Sequence, residues 1–262
     1  MALSNNTKDY SLGKGIVYLD IKDSSGNFTG FRDLGNAPGF SFTVETEELE
    51  HFSSRAGLRE KDDSVVTEVT RSATLTLDSI NDHNLALQIV GSAAEVSQTS
   101  ASVTDEAISS VNQGRLYQIG VDTTRPTGRR GLSSVTVTDD AATPTTFTVD
   151  TDYKMDLTNG TIEIVSGGSI TDGTNLEVDY TYATNTRTQV KTSGDVITSG
   201  RLWYKSTNPK GTKRHLHAPD ITIRPTGDTE LIGEEWQSFE LEIEFNKKDD
   251  DTEVFYFDSD AA

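Results

Sequence analysis

Two alternating runs dominate the first third of the chain. Phe40, Phe42 and Val44 alternate with Ser41, Thr43, Glu45 and Glu47, and Val65, Thr67, Val69, Ala73, Leu75 and Leu77 alternate with Glu68, Thr70, Ser72, Thr74 and Thr76. Successive strand side chains point to opposite faces, so each run predicts a half-buried antiparallel strand with one apolar face and one face of carboxylates and hydroxyls. Residues 49–63 between them are polar, and their span exceeds the about two to five residues of a tight hairpin. They predict a long loop of the kind that carries function. The most regular alternation comes near the end, where Phe239, Leu241, Ile243 and Phe245 interleave with Glu240, Glu242 and Glu244.

Weaker signals fill in the rest. Residues 1–12 read as a polar arm, 15–21 (GIVYLDI) as a first strand and 23–30, rich in Ser, Gly and Asn, as a turn. A helix is predicted over 81–90, capped by Asn81 or Asp78, with Leu85, Ile89 and Leu87 or Val90 as its apolar stripe and Gly91 as its stop. Residues 93–104 are low in complexity and predict a surface loop, followed by short strands at 106–111 and 115–119. Residues 122–131 (DTTRPTGRRG) form a basic, linker-like patch. From 135 to 182, closely spaced turns interrupt β-branched and aromatic alternations, which predicts a small sandwich, immunoglobulin-like, or an elaborated sheet. Residues 186–199 read as a polar connector, with strands resuming at 200–205, 221–224 and 253–257 and a turn or short helix at 227–236. The expected organisation is a main domain in two parts, 1–120 and 186–262, around a β-rich insertion at 121–185. The fold class is mainly β, a sandwich or barrel domain with one packed α-helix and a small β-rich insertion.

Composition narrows the function. The 262 residues suffice for one large β domain or one that carries an insert, and 33% hydrophobic residues suit thin β layers with much polar surface. With 23 basic against 42 acidic residues, the formal net charge is −19. Nucleic acid is gripped through Lys and Arg that displace counterions from phosphates, so this balance argues against such binding. Simple solubility accounts for an acidic surface; the sharper reading is a surface that stays close to DNA without holding it. The absence of cysteine excludes disulfides and thiolate metal sites and fits a reducing cytoplasm. No signal-peptide pattern opens the sequence and no apolar run is long enough for a bilayer, so neither export nor membrane anchoring is expected.

Candidate chemistry is sparse. Glu240, Glu242 and Glu244 are carboxylates, but a catalytic acid–base pair needs two environments that push the pKa values apart, which three equivalent residues on one open face lack. They read as a solvated face or, joined by Glu45, Glu47 and Glu68, as a continuous acidic wall. Asp62–Asp63 and Asp249–Asp251 lack calcium-loop spacing, and His51, His83, His215 and His217 lack partners at zinc spacing. There is no nucleophile elbow, phosphate loop or dinucleotide fingerprint. The expectation is therefore no enzyme, no metal and no cofactor. Glu50, His51, Arg55, Arg59, Glu60, Lys61, Asp62 and Asp63 mix both signs within one segment, and Lys205, Lys210, Lys213 and Arg214 cluster near Pro209. Such segments are often merely hydrated, and they also suit contacts between identical subunits.

The order of these pieces carries a resemblance. RDLGNAP (32–38), FSFTVETEELEHFSSRAGLREKDDSVVTEV (40–69), SATLTLDSINDHNLALQIVG (72–91), GRLYQIG (114–120), VDYTY (178–182) and RPTGDTELIGEEWQSFELEIEF (224–245) together resemble the tail tube (major tail) proteins of long-tailed bacteriophages, of the non-contractile siphovirus type. The resemblance implies a tail-tube β-sandwich whose copies form hexameric rings stacked into a hollow tube. It implies as partners a tape measure protein, a tail terminator and distal tail or baseplate proteins, with double-stranded DNA in transit without specific binding. It places the protein in the virion tail, assembled in the host cytoplasm. By alternation, Glu45, Glu47, Glu68, Glu240, Glu242 and Glu244 are candidates to line the lumen, and the mixed-charge residues of 49–63 are candidates for stacking between rings. The alternative is a monomeric, surface-displayed β-sandwich adhesin, with a carbohydrate-active enzyme more distant still.

Overall fold

The alternations do fold as strands, in a computed structural model that describes residues 10–260 except 24, 56 and 193–197; most of the polar arm predicted at 1–12 lies outside the described residues. The first elements are β1 (Gly15–Ile21), β2 (Arg32–Asp33), β3 (Gly39–Ser53), β4 (Glu60–Leu77) and α1 (Asp82–Gln88). There follow β5 (Gly91–Gln98), β6 (Ala101–Val111), β7 (Leu116–Gln118), β8 (Leu132–Asp139), β9 (Tyr153–Asp156), β10 (Thr161–Ile164), β11 (Thr174–Tyr182) and β12 (Asn185–Thr192). The chain ends with β13 (Thr198–Ser206), β14 (Arg214–Thr226), β15 (Phe239–Phe245) and β16 (Tyr256–Ser259).

The chain forms two compact units, 1–94 with 189–262, and 95–188. The second unit is thus wider than the predicted insertion at 121–185, because β6 pairs with β11 across the unit. Residues 93–104, expected as a loop, instead contribute to β5 and β6, and the expected connector at 186–199 contributes most of β12, which pairs with β5 as a two-stranded ribbon. Low-complexity Ser, Ala and Thr hide strands whose order comes from partners distant in sequence. The second unit consists of two three-stranded sheets, β7-β10-β9 and β6-β11-β8. Their inner faces share one core containing Ile162, Ile164, Val137, Leu176 and Val178. This is a small sandwich, with one strand fewer among the described residues than the roughly seven of an immunoglobulin constant-type domain.

In the first unit, β2-β1-β13-β14-β15-β4-β3 form one antiparallel sheet, with β16 added on β14. Its inner face supplies Leu19, Leu202, Ile221, Ile223, Leu241, Ile243, Ala73, Leu75 and Leu77 to a single core. The sheet curls strongly around that core. Phe40 on β3 and Tyr204 on β13 are four strand positions apart, roughly 19 Å in a flat sheet, yet their rings lie 5.6 Å apart. Phe255 closes the open side against Phe245 and Phe42. Pro219 sits where the β13–β14 register shifts, a bulge position that tolerates the missing N–H.

α1, the one α-helix among the described residues, packs over β14 and β15. Asn81 caps it by accepting from the Asn84 N–H. Buried Asn84 then donates to the carbonyls of Leu34 and Ser79 and accepts from the Arg32 guanidinium, so every exchange is satisfied inside the protein. The buried helical residues are Asn84, Ala86 and Leu87; of the expected stripe Leu87 is buried, while Leu85 and Ile89 are half-buried. Gly91 does not stop the helix. Val90 takes the positive φ, and Gly91 opens β5 where a Cβ would meet the Lys191 carbonyl oxygen at 2.2 Å.

On the outer face, the turn after β1 is drawn over β1 and β13. Asp20 is fully buried there, accepting from the Thr29 and Gly30 amides and from the Arg201 guanidinium at 2.7–3.0 Å. Arg201 lies 4.4 and 4.8 Å from the rings of Phe28 and Phe31, and Phe31 meets Trp203 edge-on. Burial by itself would raise the Asp20 carboxyl, but Arg201 and the two amides outweigh it and hold the group below its ordinary value. Removing one member of a buried pair strands the other, so Asp20→Ala is expected to lower unfolding free energy by about 3 kcal/mol. Because the folded-state pKa is depressed, this contribution is present above about pH 4 and lost as pH falls below it. Denaturant titrations of both proteins at neutral and acidic pH test this: the gap between them should narrow on acidification.

Candidate assembly surfaces

Register determines which outward side chains meet. Glu240, Glu242 and Glu244 on β15 lie opposite Thr76, Thr74 and Ser72 on β4 and opposite Thr226, Arg224 and Thr222 on β14. On β3, Ser41, Thr43, Glu45 and Glu47 lie opposite Thr74, Ser72, Thr70 and Glu68. Directly opposed residues of an antiparallel pair share a face, so all six glutamates share the outer face of the sheet. Across these four stretches the face comprises 15 residues: six Glu, one Arg and eight Ser or Thr.

That composition separates two kinds of surface. A protein-docking patch has an apolar centre, and this face has none. An ordinary soluble surface intersperses both signs, and this one carries a single cation, Arg224, which pairs with Glu244 at 3.2 Å. Glu47 stands directly opposite Glu68, an arrangement that destabilises a sheet. Like charges about 4 Å apart repel by about 1 kcal/mol even in water. Besides the Arg224 pair, long hydroxyl contacts run from Thr70 to Glu68 and from Thr76 to Glu240.

The segment 49–63 is not a loop. β3 runs to Ser53 and β4 begins at Glu60, with Glu50 facing Ser64, His51 facing Asp63 and Ser53 facing Glu60. Residues 54–59, of which 56 lies outside the described residues, join the two strands. β15 covers β4 solely over Ser72–Leu77, so Glu60–Arg71 pairs with β3 alone and the hairpin stands clear of the sheet by roughly 40 Å. The mistaken loop arises because this hairpin is polar and buries nothing, which removes the amphipathic signal of a strand. Lys61 lies against Glu48 and Glu50, His51 against Asp62, and the Arg59 guanidinium 4.7 Å from the Phe52 ring. Arg55 and Arg59 lie at the tip. Bulges interrupt the hairpin between Glu47 and Glu48 and between His51 and Phe52, and the first ends the acidic face just beyond Glu47.

Sequence reasoning missed a second projection. The connection between β14 and β15, residues 227–238, leaves Leu231, Ile232 and Trp236 at 77, 94 and 96% exposure. The signal was present, since three large apolar residues stand among turn residues with no alternation to bury them. β3 also exposes its outer edge, for among the described residues it pairs only with β4.

Several of the remaining candidates find local partners. Asp249 and Asp250 lie beside Lys248 and Lys247, His215 meets Asp260, and His217 packs against Phe31. Among the described residues no group of three or more His, Asp or Glu converges as metal ligands, and no helix is long and apolar enough to cross a membrane. Charge crowding on the acidic face has a measurable consequence. Glu47→Gln, which removes the charge directly opposite Glu68, is expected to raise unfolding free energy by a few tenths to about 1 kcal/mol at low ionic strength. In roughly 1 M salt, where screening acts within about 3 Å, most of the gain should vanish; a salt-independent change would contradict a charge origin.

Comparison with known proteins adds one finding. Among curated proteins no match to the chain is found. A family model matches residues 10–253, nearly the whole chain, and the protein accordingly belongs to the family described as protein of unknown function UCP028589.

Proposed function

We propose that copies of this chain pair along their free sheet edges into hexameric rings and stack into a tube, with the all-Glu/Ser/Thr face lining the channel. The protein is then a structural component of a bacteriophage tail, assembled in the host cytoplasm, through which double-stranded DNA passes. It is not an enzyme, and its further partners are the tape measure, tail terminator and distal tail or baseplate proteins. The observation that carries this reading is the shared face of Glu45, Glu47, Glu68, Glu240, Glu242 and Glu244 on a sheet whose neighbouring edge strand is unpaired.

Three physical arguments support it. A long exposed edge is a template for another strand, and closing strands into a ring satisfies it. A face of carboxylates and hydroxyls repels phosphate and offers no cationic row to displace counterions, so DNA can slide past it. A two-stranded hairpin is marginal alone in water, and one with Val44, Leu49, Val65 and Val66 exposed gains by packing on a neighbour.

Electron microscopy of the purified protein in negative stain tests the reading directly. Rings or tubes with a central hole are expected, and isolated globules at assembly concentrations would refute it. Glu240→Lys, Glu242→Lys and Glu244→Lys combined should still assemble, but the tubes should retain double-stranded DNA in a manner that weakens with added salt. Equal DNA passage through mutant and parent tubes would remove the lumen assignment. Deleting 54–59 should leave a folded monomer, measured by circular dichroism, that forms no long tubes.

A further inference from the structure

The hairpin tip and the β14–β15 connection lie at opposite ends of the sheet. The hairpin leaves the sheet past the end where Ser72 faces Glu244. Residues 227–238 leave it at the other end, where Leu77 faces Phe239 and Thr226 faces Glu240. Each feature exposes large apolar side chains, and their charges are opposite.

The connection carries Asp228, Glu230, Glu234 and Glu235 with no basic residue, around the nearly naked Ile232 and Trp236. The tip carries Arg55 and Arg59 around Leu58, which is 72% exposed. The nearby carboxylates Glu48 and Glu50 are engaged by Lys61, and among the described residues neither arginine has an acidic partner. A Trp side chain buries about 150–250 Å² when covered, a large gain in removed apolar surface. An isolated chain gains nothing from holding it in water.

We infer that the hairpin tip of one copy docks on the 227–238 connection of the next. Arg55 and Arg59 then lie among Glu230, Glu234 and Glu235, and Leu58 lies against Ile232 and Trp236. The contact joins two different patches at opposite ends of the same chain, so it is heterologous and does not close on itself. Repetition adds copies along the strand direction without limit. This inference rests on the tube reading and names the receiving surface for the stacking segment.

The chain has no cysteine, so introduced thiols report alone. Leu58→Cys and Ile232→Cys, each made separately in the full chain, are mixed under mild oxidation and the products are mapped by peptide mass. A disulfide between 58 and 232 is expected only in the mixture. Arg55→Glu with Arg59→Glu in the first partner should lose most of the cross-link, and Glu234→Arg with Glu235→Arg in the second should restore it. A 58–58 product, or no mixed product, overturns the inference. If rings or tubes are visible without the 58–232 product, the docking is wrong and the tube reading stands. If neither forms, both fall.

Discussion

An antiparallel sheet with one dry face and one wet face must end somewhere, and where it ends dictates what the molecule can become. Here the sheet curls until Phe40 reaches Tyr204, but among the described residues β3 and β2 do not pair. The outer edge of β3, a 15-residue strand, is left with backbone donors and acceptors that only water or another chain can satisfy. Proteins usually blunt such edges with short strands, prolines or lysines. β3 contains none of these devices, and its charges are carboxylates confined largely to one face.

The two faces have different energetic character. The inner face is held by ordinary burial, about 25 cal/mol for each Å² removed from water, and needs no partner. The outer face is organised against local stability, with Glu47 opposite Glu68 and three glutamates along β15. Each repulsion is small in water and screened by salt, so the fold tolerates it. A stability cost concentrated on one face, with hydroxyls and the single Arg224 between the charges, is the pattern expected where function rather than folding selected the residues. On the other half of the same face the choice was reversed, since Asp20 and Arg201 are paired, buried and roofed by Phe28 and Phe31.

The projecting hairpin and the 227–238 connection share a property: large apolar side chains exposed with no core of their own. Neither conformation is dictated by burial within the chain. What selects them lies outside it, and in the proposed assembly each supplies the cover that the other lacks.

The chain on its own determined the strands whose two faces differ. β1 matches its predicted span residue for residue, β15 follows from the Phe–Glu alternation, and the shared side of Glu240, Glu242 and Glu244, like that of Glu45 and Glu47, follows from parity within one strand, because a strand has a period of two whatever surrounds it. The Asn81 cap was equally legible, being a local hydrogen bond. Tertiary structure decided the rest. Register, set by pairing between residues as distant as Thr76 and Glu240, brought separate glutamates onto one surface and placed the bulge just beyond Glu47. The second unit begins at 95 rather than 121 because β6 finds β11, an association that Ser- and Thr-rich strands do not advertise. Residues 49–63 became a ladder instead of a loop because β3 and β4 stay paired beyond the core, and hydrogen bonds between strands leave no mark on hydrophobic pattern.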